Sequence, residues 1–90
     1  MTFSPWSFET TPEAREEIEN LSAPVRMRIL KKLKWFAKNF ENTSPLPLHN
    51  EWKGFFKLRI GDWRVIYQCN SLDRCITINH VDHRSRIYRR

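Results

Sequence analysis

The stretch that most constrains the fold is FFKLRIGDWRVIYQ, residues 55–68. Two runs of alternating apolar and polar residues flank the dipeptide Gly61-Asp62, an arrangement typical of a β-hairpin with a two-residue turn. A turn of that length fixes the register of the two strands. The expected pairs are Ile60–Trp63, Arg59–Arg64, Leu58–Val65, Lys57–Ile66 and Phe56–Tyr67.

The two faces of this hairpin differ in chemistry, because successive side chains of a strand point to opposite sides. One face is apolar and can build a core. The other carries Lys57, Arg59 and Arg64. Like charges directly opposed on paired strands are destabilising, so Arg59 across from Arg64 is a local conflict unless an anion lies between them. Two interpretations are open: a solvated edge of sheet, or a site for phosphate.

Length and charge limit the possibilities further. Ninety residues make one domain, 1–90, and the net charge of +6 with a pI near 9.8 favours an anionic partner. No signal peptide and no apolar run of membrane-spanning length is visible, so we expect a cytoplasmic protein with no membrane partner.

The cysteines and histidines predict neither a disulfide nor a metal site. In a reducing compartment, Cys69 and Cys75 are expected to be two buried thiols. Their spacing is not that of a zinc motif, and the pair His80 and His83 is only a weak metal signal. No metal and no cofactor is expected.

The chain before the hairpin predicts one strand and one short helix. Residues 6–9 have the pattern of a short strand. Thr11 followed by Pro12 is typical of a helix N-terminus, with Thr10 as an alternative cap, and the helix is expected over residues 12–20.

A second helix is expected to follow, with Ser22 as its cap and Pro24 in its first turn. Apolar residues recur every three or four positions from residue 25 to 40. The opposite surface is either solvated or a contact for a nucleic-acid backbone or an acidic partner. Its cations are Arg26, Arg28, Lys31, Lys32, Lys34 and Lys38.

The remaining segments complete an α+β domain. Residues 41–54 are predicted to be a loop, residues 75–81 a strand, and the chain ends in a basic tail. The expected order is a short N-terminal strand, a two-helix hairpin and a three-stranded antiparallel sheet, with the helices on one sheet face and the other face open. The predicted core consists of Phe8, Ile18, Leu21, Ile29, Leu33, Phe36, Leu58, Val65, Tyr67, Ile76 and Ile78.

Three segments, FKLRIGDWRVIYQ, ITINHV and HRSRIY, resemble the RelE/ParE superfamily of bacterial toxin-antitoxin toxins. The resemblance covers nearly the whole chain and implies a RelE-like fold. RelE-like members are implied to be ribosome-dependent mRNA endonucleases. ParE-like members are implied to act on DNA gyrase and to lack the full catalytic set.

For the RelE-like branch, the resemblance implies that Lys57, Arg64, Arg84 and Tyr88 are catalytic. One position departs from the family pattern, because Phe55 stands where a second lysine is expected, with Lys53 two residues further back. Further RNA-binding candidates are Lys53, Arg59, His83, Arg86, Lys31 and Lys34.

The chemistry of RNA cleavage gives these residues roles. The 2′-hydroxyl is the nucleophile, so the reaction needs a base, an acid for the 5′-oxygen and cations for the charge on the phosphate. Neighbouring cations favour the neutral form of a lysine, which suits Lys57 as base. Arg84 would be the acid and Arg64 would stabilise the transition state, leaving a 2′,3′-cyclic phosphate. His83 is a substitute acid or base, and Tyr88 could stack on a base.

Other interpretations remain open at this stage. Arg84 could pair with Asp82 or a helix acid, and Tyr88 could cover the core. The protein could also inhibit a topoisomerase without catalysis, or bind RNA without cutting it. The resemblance implies a cognate antitoxin as partner, with the ribosome and mRNA as targets and DNA contacted only through the toxin-antitoxin complex.

Overall fold

The computed structural model describes residues 6–89, so residues 1–5 and Arg90, the end of the basic tail, lie outside the described residues. Its elements are β1 (Ser7–Thr10), α1 (Pro12–Glu19), α2 (Ala23–Lys38), β2 (Leu46–Pro47), β3 (Phe56–Ile60), β4 (Trp63–Asn70) and β5 (Cys75–His83), with 3-10 turns at Phe40–Asn42, Asn50–Trp52 and Ile87–Arg89. The strands form one sheet in the order β1-β5-β4-β3-β2. β1 is parallel to β5, and the other neighbours are antiparallel.

The α+β class and the two helices agree with the sequence prediction, but a sheet of three strands was wrong. β1 joins the sheet at one edge, where it pairs with β5 rather than standing apart. β2 forms the other edge inside the segment predicted to be a loop. Its two residues, Leu46 and Pro47, carry no alternating pattern, and proline is tolerated only at a sheet edge, where its missing N–H costs no ladder bond.

Capping residues set the helix boundaries. The Thr11 side chain accepts a hydrogen bond from the Ala14 N–H at 3.1 Å, and proline follows in the first turn of α1. Ser22 is the N-cap residue of α2 and Pro24 lies in the first turn, as predicted, although the Ser22 side chain makes no capping hydrogen bond. None of the described helices is long and apolar enough to span a bilayer.

The hairpin register is confirmed at all five predicted pairs, from Ile60–Trp63 to Phe56–Tyr67. Gly61 has a φ of 59°, which a hairpin turn with glycine at its first central position requires. The turn therefore determines which side chains share a face along both strands.

Both helices pack on one face of the sheet. There Phe36 meets Tyr67 edge to face, with ring centroids 5.2 Å apart, and the fully buried Val65 and Ile78 lie in the same cluster. Of the predicted core residues, eight are buried. The other three, Phe8, Leu21 and Leu58, are half-buried and pack against the cluster.

A β-bulge interrupts β5. Ile66 pairs with His80 while Tyr67 pairs with Ile78, so Asn79 has no partner across the ladder. The extra residue reverses the alternation, which turns Val81 towards the helices. Before the bulge, the even-numbered side chains Ile76 and Ile78 face the helices; after it, the odd-numbered Val81 does.

Cys69 and Cys75 are free thiols, as predicted. Both are half-buried rather than buried. Burial raises the pKa of the Cys69 thiol, and burial together with the nearby Glu9 carboxylate raises that of Cys75.

Candidate functional site

The side of the sheet away from the helices, here called the distal face, carries the hairpin cations. Val65 and Tyr67 point to the helices, so their neighbour Ile66 and its partner Lys57 point to the distal face. Arg59 and Arg64 are directly opposed two positions away on the same face. Within residues 6–89, neither Lys57 nor Arg59 makes a side-chain hydrogen bond or ion pair. Their charges are therefore available to an anion.

Arg64 is oriented by the turn of its own hairpin. One guanidinium nitrogen, Nη1, donates to the Gly61 carbonyl at 2.8 Å and to the Trp63 carbonyl at 2.9 Å. A guanidinium has five N–H donors in a planar fork, so other donors remain for a phosphate. The side chain is half-buried, which limits the rotamer freedom it would lose on binding.

Arg84 lies at the tip of the hairpin. Its backbone N–H donates to the Asp62 carbonyl at 2.8 Å, and its Nε lies 3.6 Å from Asp62 Oδ1. Neither of the ion pairs considered from the sequence forms, because Asp82 instead accepts from Arg86 Nε at 3.1 Å. An ion pair between exposed groups contributes at most about 1 kcal/mol, so Arg84 can exchange Asp62 for an anionic ligand at little cost.

The chain after β5 folds into a 3-10 turn, Ile87–Arg89. Ile87 is fully buried, whereas the Tyr88 side chain is 43 % exposed. Part of the Tyr88 surface is therefore accessible to a ligand, and the rest is covered by the protein.

The distal face is not open, contrary to the prediction. Ile66 and Ile87 are both fully buried and lie outside the core beneath the helices. The Trp52 ring packs edge-on against Phe55 and His80, with centroid distances of 5.6 and 5.8 Å. The distal face therefore has buried apolar side chains beside its cations instead of being a bare sheet. The sequence already indicated apolar side chains on this face, since the predicted register places Ile66 opposite Lys57 and two positions from Arg64.

Among the further candidates, His83 lies on the wrong side of the sheet. It pairs with Trp63, whose side chain packs against the helix-side core, because the bulge at Asn79 reverses the alternation of β5. Its Nδ1 accepts a hydrogen bond from the Ser85 N–H at 3.2 Å. His83 is therefore not brought together with Lys57 on the distal face.

Four of the remaining candidates, Lys31, Lys34, Lys53 and Arg86, lie outside the cluster formed by Lys57, Arg59 and Arg64. Lys31 and Lys34 are exposed on α2, across the sheet from the distal face. Lys53 is exposed in the loop that precedes β3, and the exposed Arg86 is engaged with Asp82. Of the RNA-binding candidates, only Arg59 shares a face with Lys57 and Arg64.

The helix side has a second feature that the sequence analysis missed. Trp35 of α2 is 49 % exposed, and the Lys32 ammonium lies 4.0 Å from the centroid of its ring. The tryptophan borders a groove of about 630 Å³ whose apolar walls include Trp6 and Phe8. An exposed tryptophan within a lysine-rich helix was the available signal. Among residues 6–89, no group of three or more His, Cys, Asp or Glu side chains is arranged to hold a metal ion.

Comparison with known proteins identifies relatives over almost the full length. Residues 8–88 match the family model described as ParE toxin of type II toxin-antitoxin system, parDE. Toxin RelG of Mycobacterium tuberculosis is 33 % identical over 90 residues, covering 96 % of this chain and 99 % of RelG.

Solved structures share the fold at low identity. The toxin-antitoxin complex RelBE2 of Mycobacterium tuberculosis contains a chain with a TM-score of 0.79 and 22 % identity, covering 89 % of this chain and 99 % of that one. The isolated E. coli RelE toxin has a TM-score of 0.70 and 16 % identity, with 89 % and 84 % covered. The archaeal RelE-RelB complex of Pyrococcus horikoshii has a TM-score of 0.68 and 19 % identity, with 92 % and 99 % covered.

Proposed function

The chain belongs to the ParE toxin family of the RelE/ParE superfamily and is a toxin of a type II toxin-antitoxin system, and from that premise we propose that it is a ribosome-dependent endoribonuclease. Its substrate is mRNA undergoing translation, and cleavage inhibits protein synthesis in the cytoplasm. The observation that carries this proposal is the set of three cations on the distal face, Lys57, Arg59 and Arg64, two of which directly oppose each other.

The arrangement suits cleavage by the RNA's own 2′-hydroxyl. Lys57 takes the proton of that hydroxyl as its oxygen attacks the adjacent phosphorus. Arg64, already oriented by two backbone carbonyls, stabilises the charge on the phosphate oxygens. The bond to the 5′-oxygen breaks as Arg84 donates a proton to that oxygen. The products are a 2′,3′-cyclic phosphate and a 5′-hydroxyl. Proton exchange with solvent then resets Lys57 and Arg84, so no water is consumed.

Two other side chains assist binding in this proposal. Arg59 holds the RNA backbone beside the reacting linkage, because an arginine fork matches phosphate oxygens. Tyr88, with its exposed ring, stacks on an unpaired base. Phe55 stands where a second lysine is expected, and its ring packs against Trp52.

The test is cleavage of a defined mRNA on translating ribosomes, with the 5′ ends of the fragments mapped. Replacing Arg64 with alanine should slow cutting about 100-fold or more, as loss of a transition-state donor does, and Arg84→Ala should slow it by a similar factor. Arg15→Ala is the matched control, because Arg15 is an exposed arginine on α1 whose ion-pair partner among residues 6–89 is Glu19. Undiminished cutting by both the Arg64 and Arg84 variants would remove the assignment.

A second function is favoured by the family match itself, which is to a ParE toxin. Under this alternative the protein inhibits DNA gyrase and cuts no RNA. A supercoiling assay with purified gyrase distinguishes the two, since the nuclease leaves supercoiling unchanged whereas a gyrase inhibitor leaves mRNA intact.

We also propose a cognate antitoxin that occupies the groove beside Trp35. Two lysines, Lys34 and Lys38, line the same groove as the apolar side chains, so it suits an acidic amphipathic segment. DNA contact would come through the resulting complex. Trp35→Ala should weaken binding of the product of the neighbouring gene, measured by calorimetry, and equal affinity would contradict this placement.

A further inference from the structure

Three arginines from three different elements converge on the hairpin turn. Arg64 of β4 donates to the Gly61 carbonyl, and Arg84, which follows β5, contacts Asp62. The third is Arg28 of α2, a residue that reaches the turn from the helix side of the sheet. The turn therefore links the distal face to the basic surface of α2.

The approach of Arg28 depends on glycine. A Cβ placed on Gly61 would lie 2.8 Å from Arg28 Nη2 and 3.6 Å from its Cζ, so the guanidinium occupies the space a side chain would need. Arg26, two residues earlier on α2, donates to the carbonyls of Glu19 and Leu21. Arg28, by contrast, has no hydrogen-bond or ion-pair partner in the described part of the chain.

The charge around this turn is not balanced. Among the described residues, these three guanidinium groups and that of Arg86 share two carboxylates. Asp62 pairs with Arg84 in an exposed and therefore weak contact, and Asp82, opposite Arg64 across the β4–β5 ladder, binds Arg86. Arg28 and Arg84 are both exposed. An arginine fork favours bidentate phosphate, and forks on both sides of one turn suit a ligand that carries several phosphates in succession.

We propose that Arg28 binds a backbone phosphate of the RNA strand next to the reacting linkage, so that the strand leaves the distal face across the Gly61-Asp62 turn. This inference rests on the proposed nuclease function and adds a contact on the helix side of the sheet. Arg28 positions the strand and takes no part in bond breaking. Its loss should therefore raise KM and leave kcat nearly unchanged.

The test separates binding from cleavage. A labelled oligonucleotide methylated at every 2′-oxygen cannot be cut, and its affinity is measured by fluorescence anisotropy from about 50 to about 300 mM NaCl. Arg28→Ala should weaken binding about fivefold and reduce the slope of log K against log salt by about 0.7, the value for one single-strand phosphate contact. Arg28→Lys should restore most of the slope, because the charge is kept. The charge-matched control Arg15→Ala should change neither quantity.

The outcomes are distinguishable. If Arg28→Ala binds the oligonucleotide as tightly as Arg15→Ala and with the same salt slope, the inference is overturned. Weaker binding of an acidic peptide with RNA binding intact would also overturn it and would assign Arg28 to a protein partner. If Arg28 controls the salt slope but the wild type cuts no mRNA on ribosomes, the RNA contact stands and the nuclease proposal fails. Thermal unfolding of each variant checks that the fold is intact.

Discussion

The directly opposed pair Arg59–Arg64 predicts that the protein can be stabilised by removing a charge. Arg59 is exposed and has no partner among residues 6–89, whereas Arg64 would lose two backbone hydrogen bonds if replaced. Arg59→Gln is therefore the cleaner change, since it keeps much of the side-chain length. Lys57 lies two residues away on the same face and adds to the repulsion that the substitution relieves.

The magnitude follows from Coulomb's law. Two unit charges about 7 Å apart in water repel by about 0.6 kcal/mol, and screening by physiological salt reduces this to about 0.25 kcal/mol. For a domain of this size, 1 kcal/mol corresponds to about 4–8 °C, so Arg59→Gln should raise Tm by about 2–5 °C at low salt and by about 1–2 °C at physiological salt. The gain should vanish near 1 M NaCl, where the Debye length is about 3 Å.

The assay is thermal unfolding followed by circular dichroism at low and high salt. Lys53→Gln is the matched control, because it removes one exposed positive charge from a loop and should leave Tm unchanged within about 1 °C. A lower Tm for Arg59→Gln, or a gain that persists undiminished at high salt, would refute the repulsion between the hairpin arginines. The same variant should bind RNA more weakly, so stability and binding should change in opposite directions.

Three further predictions concern the buried Ile66, the buried Tyr67 and the two half-buried cysteines. Ile66→Ala should lower the free energy of unfolding by about 2–4 kcal/mol in a urea titration, whereas Leu72→Ala, at a side chain that is 95 % exposed, should change it by less than about 0.5 kcal/mol. Burial, assisted by the nearby Cys69, raises the pKa of Tyr67, so the unfolded chain ionises this phenol first and the free energy of unfolding should fall above about pH 10. For Tyr67→Phe the free energy of unfolding should fall less steeply with pH, and parallel pH profiles for the two proteins would contradict this. Because the pKa values of Cys69 and Cys75 are raised, iodoacetamide should label both thiols more slowly at about pH 8 in the folded protein than in urea, and equal rates would refute the shift.

The hairpin was predictable because two local features determine it. The two-residue turn and the alternation on both sides leave one register, and that register places Lys57 and Arg64 on one face without knowledge of the rest of the fold. The helices followed in the same way from Pro12, the capping position of Thr11 and the apolar spacing of residues 25–40.

What could not be predicted depends on contacts between distant segments. The bulge at Asn79 has no local signal, since an asparagine fits the alternating pattern equally well, yet it moves His83 to the other side of the sheet. The Asp62 partner of Arg84 depends on how β5 ends beside the hairpin turn. The position of Arg28 likewise depends on how α2 crosses the sheet, which a helical pattern alone does not determine.

The parallel pairing of β1 with β5 has a consequence for how the toxin matures. Ser7 pairs with Cys75 and Thr10 with Ile78, so within residues 6–89 the first strand, β1, has the last strand, β5, as its only neighbour in the sheet. Contacts of such long sequence separation form late, because the entropy cost of ordering the intervening chain comes before the contacts lower the free energy. During translation, β1 therefore remains unpaired until residues 75–78 of β5 have been synthesised, so this edge of the sheet forms late.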